Sequence, residues 1–348
     1  MAVFVLGAGA TRGASFVNPC KNLWLPPPDA DFFTQLQRVQ NPKHKELIAQ
    51  VIVDTVDLFG VNFSAALETT FTTLEHTIRM VSTTKETWDF NKEDLQGKHD
   101  RLLQALAAVM EEALTERSDS GGGSHRMRSC SHHERLVAHL LDPSDEIICF
   151  NYDCLIDHAL REHGNGKWHA RYGYGLPLGA HGSRLSGDKH WSAKEPASKD
   201  STVHLYKLRG SLHFWVQKND KIQLKERPYT KQHGNLRFTI IPPESHKAYD
   251  QEPFKGVWRK AGAAINKARG LIFIGYSLPP TDLHSTALLR TSVKKESLRS
   301  LVIVNPDREA RKRTRDVVRR GLSEKTHVLV FDELKEFVAA KRSLRETP

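Results

Sequence analysis

Four short polar or glycine-rich segments each sit where an apolar run ends, and this repeated arrangement constrains the fold more than any other feature of the chain. Gly7, Ala8, Gly9 and Thr11 follow the run 2–6, and Asn151 and Asp153 follow 146–150. Arg209 and Gly210 follow 203–208, while Gly275 and Ser277 close and follow 271–275. Two further apolar runs, 301–305 and 327–331, complete a set of six expected strands. Helical periodicity separates most of them, and that alternation implies a parallel sheet covered on both faces.

The expected fold is therefore α/β, a doubly wound, mostly parallel, Rossmann-like sheet, in one domain spanning 1–348. Such sheets bind ligands just beyond the carboxyl ends of their strands, where all four segments fall. Between the first two strands the windows 31–39, 45–59, 65–81 and 98–117 carry helical spacing. That is too much for a crossover, so a helical module is expected as an insertion at about 30–145. The glycine-serine stretch 118–124 reads as a flexible linker, and 164–201, rich in glycine, histidine and aromatics, as an irregular excursion.

An apolar fraction of 39% is ample for a packed core. No signal-peptide pattern or membrane-length apolar stretch is present, so a cytoplasmic protein without a membrane partner is expected. The four cysteines contain no C-x-x-C pair, which argues against a disulfide framework or zinc ribbon. The histidines other than His204 and His213, His132 and His133 included, lack metal-ligand spacing and are expected at the solvated surface, so no metal is expected. A net charge of +10 invites an acidic partner. Its densest source is 308–320, where Arg308, Arg311, Lys312, Arg315 and Arg319 follow helical spacing and Val317 and Val318 can face inward. That stripe is either a solvated helix face or a contact for nucleic acid or an acidic subunit.

The glycines Gly7, Gly9 and Gly13 after the first run allow a tight turn and a close approach to a pyrophosphate at a helix start. With the other three segments they outline a dinucleotide pocket. Breaking a ribose–nicotinamide bond builds positive charge on the sugar, so such a pocket must place polar groups around the anomeric carbon. Asn151 offers a donor and an acceptor in one amide, and Asp153 can fix that amide or counter the charge. Both residue types also favour helix starts, so a capping role near Cys154 stays open. Arg209 cannot act as a base, but it can bind phosphate or ribose or hold a negative charge. His213 stands about 13 Å beyond it on a continuous strand; only a fold-back at Gly210 and Ser211 would bring it into the site. Asp29 and Asp31 read as a helix start and not as the acidic tip of a second strand, which disfavours a hydride-transferring dehydrogenase.

In order and position these segments resemble the sirtuin-like family, and specifically its bacterial branch associated with antiphage defence, over nearly the full chain. Members of the family carry a G-A-G-x-S/T turn, an Asn-x-Asp after a buried strand, a His-Gly, a G-x-S loop and an Asn after the penultimate strand. The resemblance implies dinucleotide contacts at Gly7, Ala8, Gly9, Thr11, Gly275, Ser277 and Asn305, and catalytic roles at Asn151 and Asp153. Arg209 occupies the family's histidine position as a further dinucleotide contact, with His213 as the candidate replacement base. The zinc module of deacetylating sirtuins, two C-x-x-C pairs, is absent, which favours water over acetyl-lysine as the acceptor. The resemblance therefore implies hydrolysis of NAD+, as substrate, to nicotinamide and ADP-ribose, by a regulated defence effector that depletes NAD+. The alternative is a noncatalytic subunit binding NAD+ or ADP-ribose. Expected partners are further copies of the chain, a separately encoded HerA-type ATPase or an Argonaute, with nucleic acid as a further ligand of 308–320.

Overall fold

The computed structural model describes residues 1–17, 31–63, 66–83, 90–117, 125–176, 178, 202–216, 222–224, 240–241 and 252–340. Cys20, Asp29, the 118–124 linker and most of the 164–201 excursion lie outside the described residues. The chain divides into two compact units. One comprises Met1–Asn18, Ser129–Glu226 and Tyr249–Pro348, and the other Pro19–Arg128 and Arg227–Ala248.

The first unit holds a six-stranded sheet. Its strands are β1 (Ala2–Leu6), β2 (Glu146–Cys149), β3 (His204–Lys207), β4 (Gly270–Ile274), β5 (Ser300–Val304) and β6 (His327–Phe331). Across the sheet they run β3-β2-β1-β4-β5-β6, all parallel, with helices on the flanks. All six expected strands are present, with ends within one residue of those expected. Val3, Phe4, Val5 and Leu6 are all buried, as are all five residues of β4, because a central parallel strand is covered on both faces and needs an unbroken apolar run. The outer strand β6 instead leaves Val328, Leu329 and Val330 partly exposed.

Register fixes what the strand ends bring together. Leu6 lies opposite both Cys149 and Ile274, Cys149 opposite Lys207, Ile274 opposite Val304, and Val304 opposite Phe331. The carboxyl ends are therefore level, and the segments that follow them share one edge. The strand order reverses between β1 and β4, the point at which open sheets of this kind form a crevice.

The second unit is helical. Phe32–Leu36, Lys45–Phe59, Leu67–Thr83 and Lys92–Leu114 are followed by a ribbon pairing Thr115–Arg117 with His125–Met127. The longest helix begins six residues before the expected window, because Asn91 caps it by accepting from the Asp94 amide at 2.7 Å and Glu93 and Asp94 occupy its first turn. It packs on both Lys45–Phe59 and Leu67–Thr83, with buried Leu95 against Leu74 and Ile78 and buried Leu102 beside Val51 and Leu74. Across this packing Arg101 grips the buried carboxylate of Asp54 with two bonds, of 2.6 and 3.0 Å, and Lys98 bonds Asp57 at 2.7 Å. Among the described residues no helix is long and apolar enough to cross a membrane.

Candidate functional site

The turn after β1 is built against the turn after β4. Gly7 donates to the Ile274 carbonyl and Gly9 to that of Gly275, at 3.0 and 2.8 Å. Gly275 has φ 60°, and a Cβ there would stand 2.1 Å from the Ala10 nitrogen. One at Gly9 would stand 2.7 Å from the Gly275 Cα. The glycines are thus required first by each other, since only two bare backbones approach so closely. Ala8 and Gly9 remain exposed at the crest of the turn.

Asn151, just past β2, joins this turn. Its Nδ2 donates to the Gly7 carbonyl and to Thr11 Oγ1, both at 2.9 Å. A carbonyl only accepts, so the amide is oriented without ambiguity. Thr11 Oγ1 passes its own proton to Asp153 Oδ2 at 2.5 Å, while Asp153 Oδ1 accepts the Leu155 amide at 3.0 Å. Asp153 thus bonds Thr11 with one oxygen and, with the other, the first amide of the helix Leu155–His163, whose N-cap is Cys154. Asn151 is 9% exposed and its Oδ1 has no hydrogen-bond partner among the described residues.

Arg209, just past β3, does not stand alone. Its guanidinium pairs with the buried carboxylate of Asp282 and lies 5.8 Å over the Phe150 ring, which stacks on Tyr276 at 4.4 Å. Asp282 also accepts from Tyr276 Oη at 2.8 Å and caps the helix Leu283–Ser292 through the Ser285 amide. Burial, reinforced by Asp282, pushes the Tyr276 phenol well above its ordinary range, so it donates and stays neutral. Of the roles open to Arg209, the structure realises the holding of a negative charge, and that charge belongs to the protein.

His213 is enclosed. The chain turns at Gly210 (φ 75°), but it turns inward. The imidazole is fully buried, with Nδ1 2.8 Å from Ser211 Oγ and 3.0 Å from Cys154 Sγ, and Nε2 3.0 Å from Tyr174 Oη. Tyr174 donates to Asp157, whose other oxygen takes Lys207 at 3.2 Å. Burial by itself disfavours the Lys207 ammonium, yet Asp157 beside it holds its pKa above the ordinary value. This polar core supports the site from behind: Lys207 bonds the Asp153 carbonyl, and Leu212 and Ser211 bond that of Tyr152. His213 thus faces the core and not the open edge, because the positive φ of Gly210 directs the fold-back beneath the strand ends.

On the other side of the sheet, Asn305 donates to the Tyr276 carbonyl at 3.3 Å and accepts the Asp307 amide at 3.0 Å. Ser277 is exposed, and its carbonyl and that of Leu278 are held by Arg313. In the helix Arg308–Val317, Arg308, Lys312 and Arg315 are exposed, and Val317 and Val318 are buried. Arg311, read as part of the outer stripe, instead bonds Asp332 and the Asn305 carbonyl. His133, expected at the surface, is buried against Cys130, because the face of Ser131–Arg135 that carries it packs inward. Among the described residues no group of three or more histidine, cysteine or acidic side chains is placed to hold a metal.

Sequence reasoning missed the parts played by Asp282, Tyr276 and Lys207. Only Asp282 carried a signal, as an aspartate is a residue type favoured at helix starts. No curated protein matched the chain in a sequence search. A family model, the SIR2-like domain, matches residues 145–329, which is more than half of the 348 residues and runs from the start of β2 into β6. With its six-stranded parallel sheet and the strand-end segments at one edge, the chain belongs to the SIR2-like domain family.

Proposed function

We propose that this chain hydrolyses NAD+ to nicotinamide and ADP-ribose. The observation that carries the reading is Asn151: its Nδ2 is spent on Gly7 and Thr11 in the turn beside it, and its Oδ1 has no hydrogen-bond partner among the described residues. Water and NAD+ give nicotinamide, ADP-ribose and a proton. As the neutral base leaves, the sugar gains positive charge, and a fixed amide oxygen is suited to hold the attacking water or a ribose hydroxyl. Thr11 and Asp153 act through Asn151 as positioning residues. The exposed crest of Ala8 and Gly9 and the exposed Ser277 are the surfaces offered to the dinucleotide. Because unrestrained cleavage would drain the cell's own NAD+, the activity belongs to an effector switched on by a partner or by assembly, in keeping with a role in antiphage defence.

Two observations favour a second reading, a noncatalytic subunit that binds NAD+ or ADP-ribose: Arg209 is paired with Asp282, and His213 is enclosed. Incubating the purified chain with NAD+, alone and with neighbouring gene products, separates the two. Nicotinamide release supports hydrolysis; calorimetric binding without release under every condition supports the binding subunit.

A further inference from the structure

Among the described residues two cysteine–histidine pairs share the same 3.0 Å separation and have opposite surroundings. Cys154 sits with His213 deep in the polar core. There burial, together with the nearby Asp157 carboxylate, drives the thiol well above its ordinary pKa, and it stays protonated. Cys130 sits at the start of the helix Ser131–Arg135, with His133 Nδ1 on its sulfur. Its sulfur also accepts the backbone N–H of Ser15 at 3.4 Å, and Ser15 Oγ in turn accepts the Ser131 amide at 2.9 Å. Burial alone would raise the Cys130 thiol, but the charge and hydrogen bond of His133 bring it down to about 7. His133 is in turn held above its usual value: burial disfavours its charge, and Cys130, with Asp153 and Glu134 beyond, more than offsets this. Cys149 has no imidazole contact in the described residues, and burial pushes it up to about 12.

We infer that Cys130 is a site of reversible thiol oxidation whose co-substrate is a small hydroperoxide, with His133 and the Ser15 amide stabilising the reactive anion. Ser15, whose amide meets the sulfur, is itself exposed. Cys130 is 3% exposed, which suits a co-substrate as small as hydrogen peroxide better than a bulky thiol reagent. The thiolate attacks one peroxide oxygen; an S–O bond forms as the O–O bond breaks. Sulfur loses two electrons and becomes sulfenic acid, and the departing oxygen takes the imidazolium proton from His133 and leaves as water or alcohol. Since Ser15 leaves the glycine turn, the added oxygen falls on the segment that follows Gly7 and Gly9. None of this depends on the proposed hydrolysis.

The test treats the full chain with substoichiometric hydrogen peroxide at neutral pH, then quenches, unfolds and alkylates it. Peptide mass spectrometry reads the added oxygen at each cysteine, with and without dithiothreitol. Cys130 is expected to gain oxygen at least tenfold faster than Cys149 and Cys154, to lose it on reduction, and to slow about tenfold in His133→Asn. Equal rates at the three cysteines, no oxidation of Cys130, or an unchanged rate in a folded His133→Asn variant would each overturn the inference. Should that variant not fold, the comparison of Cys130 with Cys149 and Cys154 in the unaltered chain decides alone.

Discussion

Asn151 Nδ2 lies 2.9 Å from the carbonyl oxygen of Gly7, so a side chain carried past the end of β2 is bonded to the backbone that turns past the end of β1. Two neighbouring strand ends are tied together by an amide whose Oδ1 has no hydrogen-bond partner among the described residues. Asn151→Ala should lower nicotinamide release by about 10²–10³-fold, the scale of losing one preorganised polar group. It should cost about 1–3 kcal/mol of stability for the two lost bonds. Release rates and thermal melts measure both; unchanged turnover would mean that the amide is purely structural.

Thr11 relays the carboxylate of Asp153 to that amide. Thr11→Ser keeps the hydroxyl and should retain turnover within a few-fold, whereas Thr11→Val severs the relay and should follow Asn151→Ala in turnover with NAD+ affinity little changed. Equal kinetics for the two variants would break the relay argument.

Arg209→Ala leaves the Asp282 carboxylate buried without its cation, which typically costs about 3–5 kcal/mol. Adding Asp282→Asn to it should recover part of that loss in urea denaturation. A single variant of full stability but weakened NAD+ binding would instead make the guanidinium a ligand group.

Gly275→Ala forces a side chain into a φ of 60° and against the Ala10 nitrogen. The expected loss is at least ~2 kcal/mol from backbone strain and contact together, with Gly60→Ala, where open space surrounds the added carbon, as the milder comparison. Melting temperatures that fall equally would contradict the packing of the two turns.

In the helical unit, burial alone would raise Asp54, but its bonds from Arg101 and Gln50, with Lys98 nearby, hold its carboxyl below the usual 3.8. A lowered folded-state pKa stabilises above the unfolded value and is lost as pH falls through the folded one. The stability gap between the unaltered chain and Asp54→Asn should therefore be full above about pH 5 and close as the pH drops below about 4. A gap constant from pH 7 to pH 3 would refute it.

The six strands were legible because buried parallel strands are written as unbroken apolar runs, and their shared edge followed from the residues at which those runs stop. Asn151, Thr11 and Asp153 could be placed near one another on that basis. The partner of Arg209 could not: Asp282 is 73 residues away, and no periodicity reports a pairing across a sheet edge. His133 lay in plain view three residues after Cys130, but whether a short helix turns that face inward is decided by packing. The direction of the turn at Gly210, which buries His213, likewise has no signature beyond the glycine.

The position of β1 also bears on how the molecule comes to be folded. Val3 must find Glu146 on one side and Leu271 on the other, so the middle of the sheet is closed by contacts spanning well over a hundred residues in each direction. Contacts of such sequence separation slow folding, because the chain loses loop entropy before they reward it. An apolar strand so placed has to wait until residue 146 for its first neighbour and until residue 271 of 348 for its second. The helical unit between β1 and β2 carries its own core, and it can fold during that interval while β1 remains exposed to chaperones and to wrong partners.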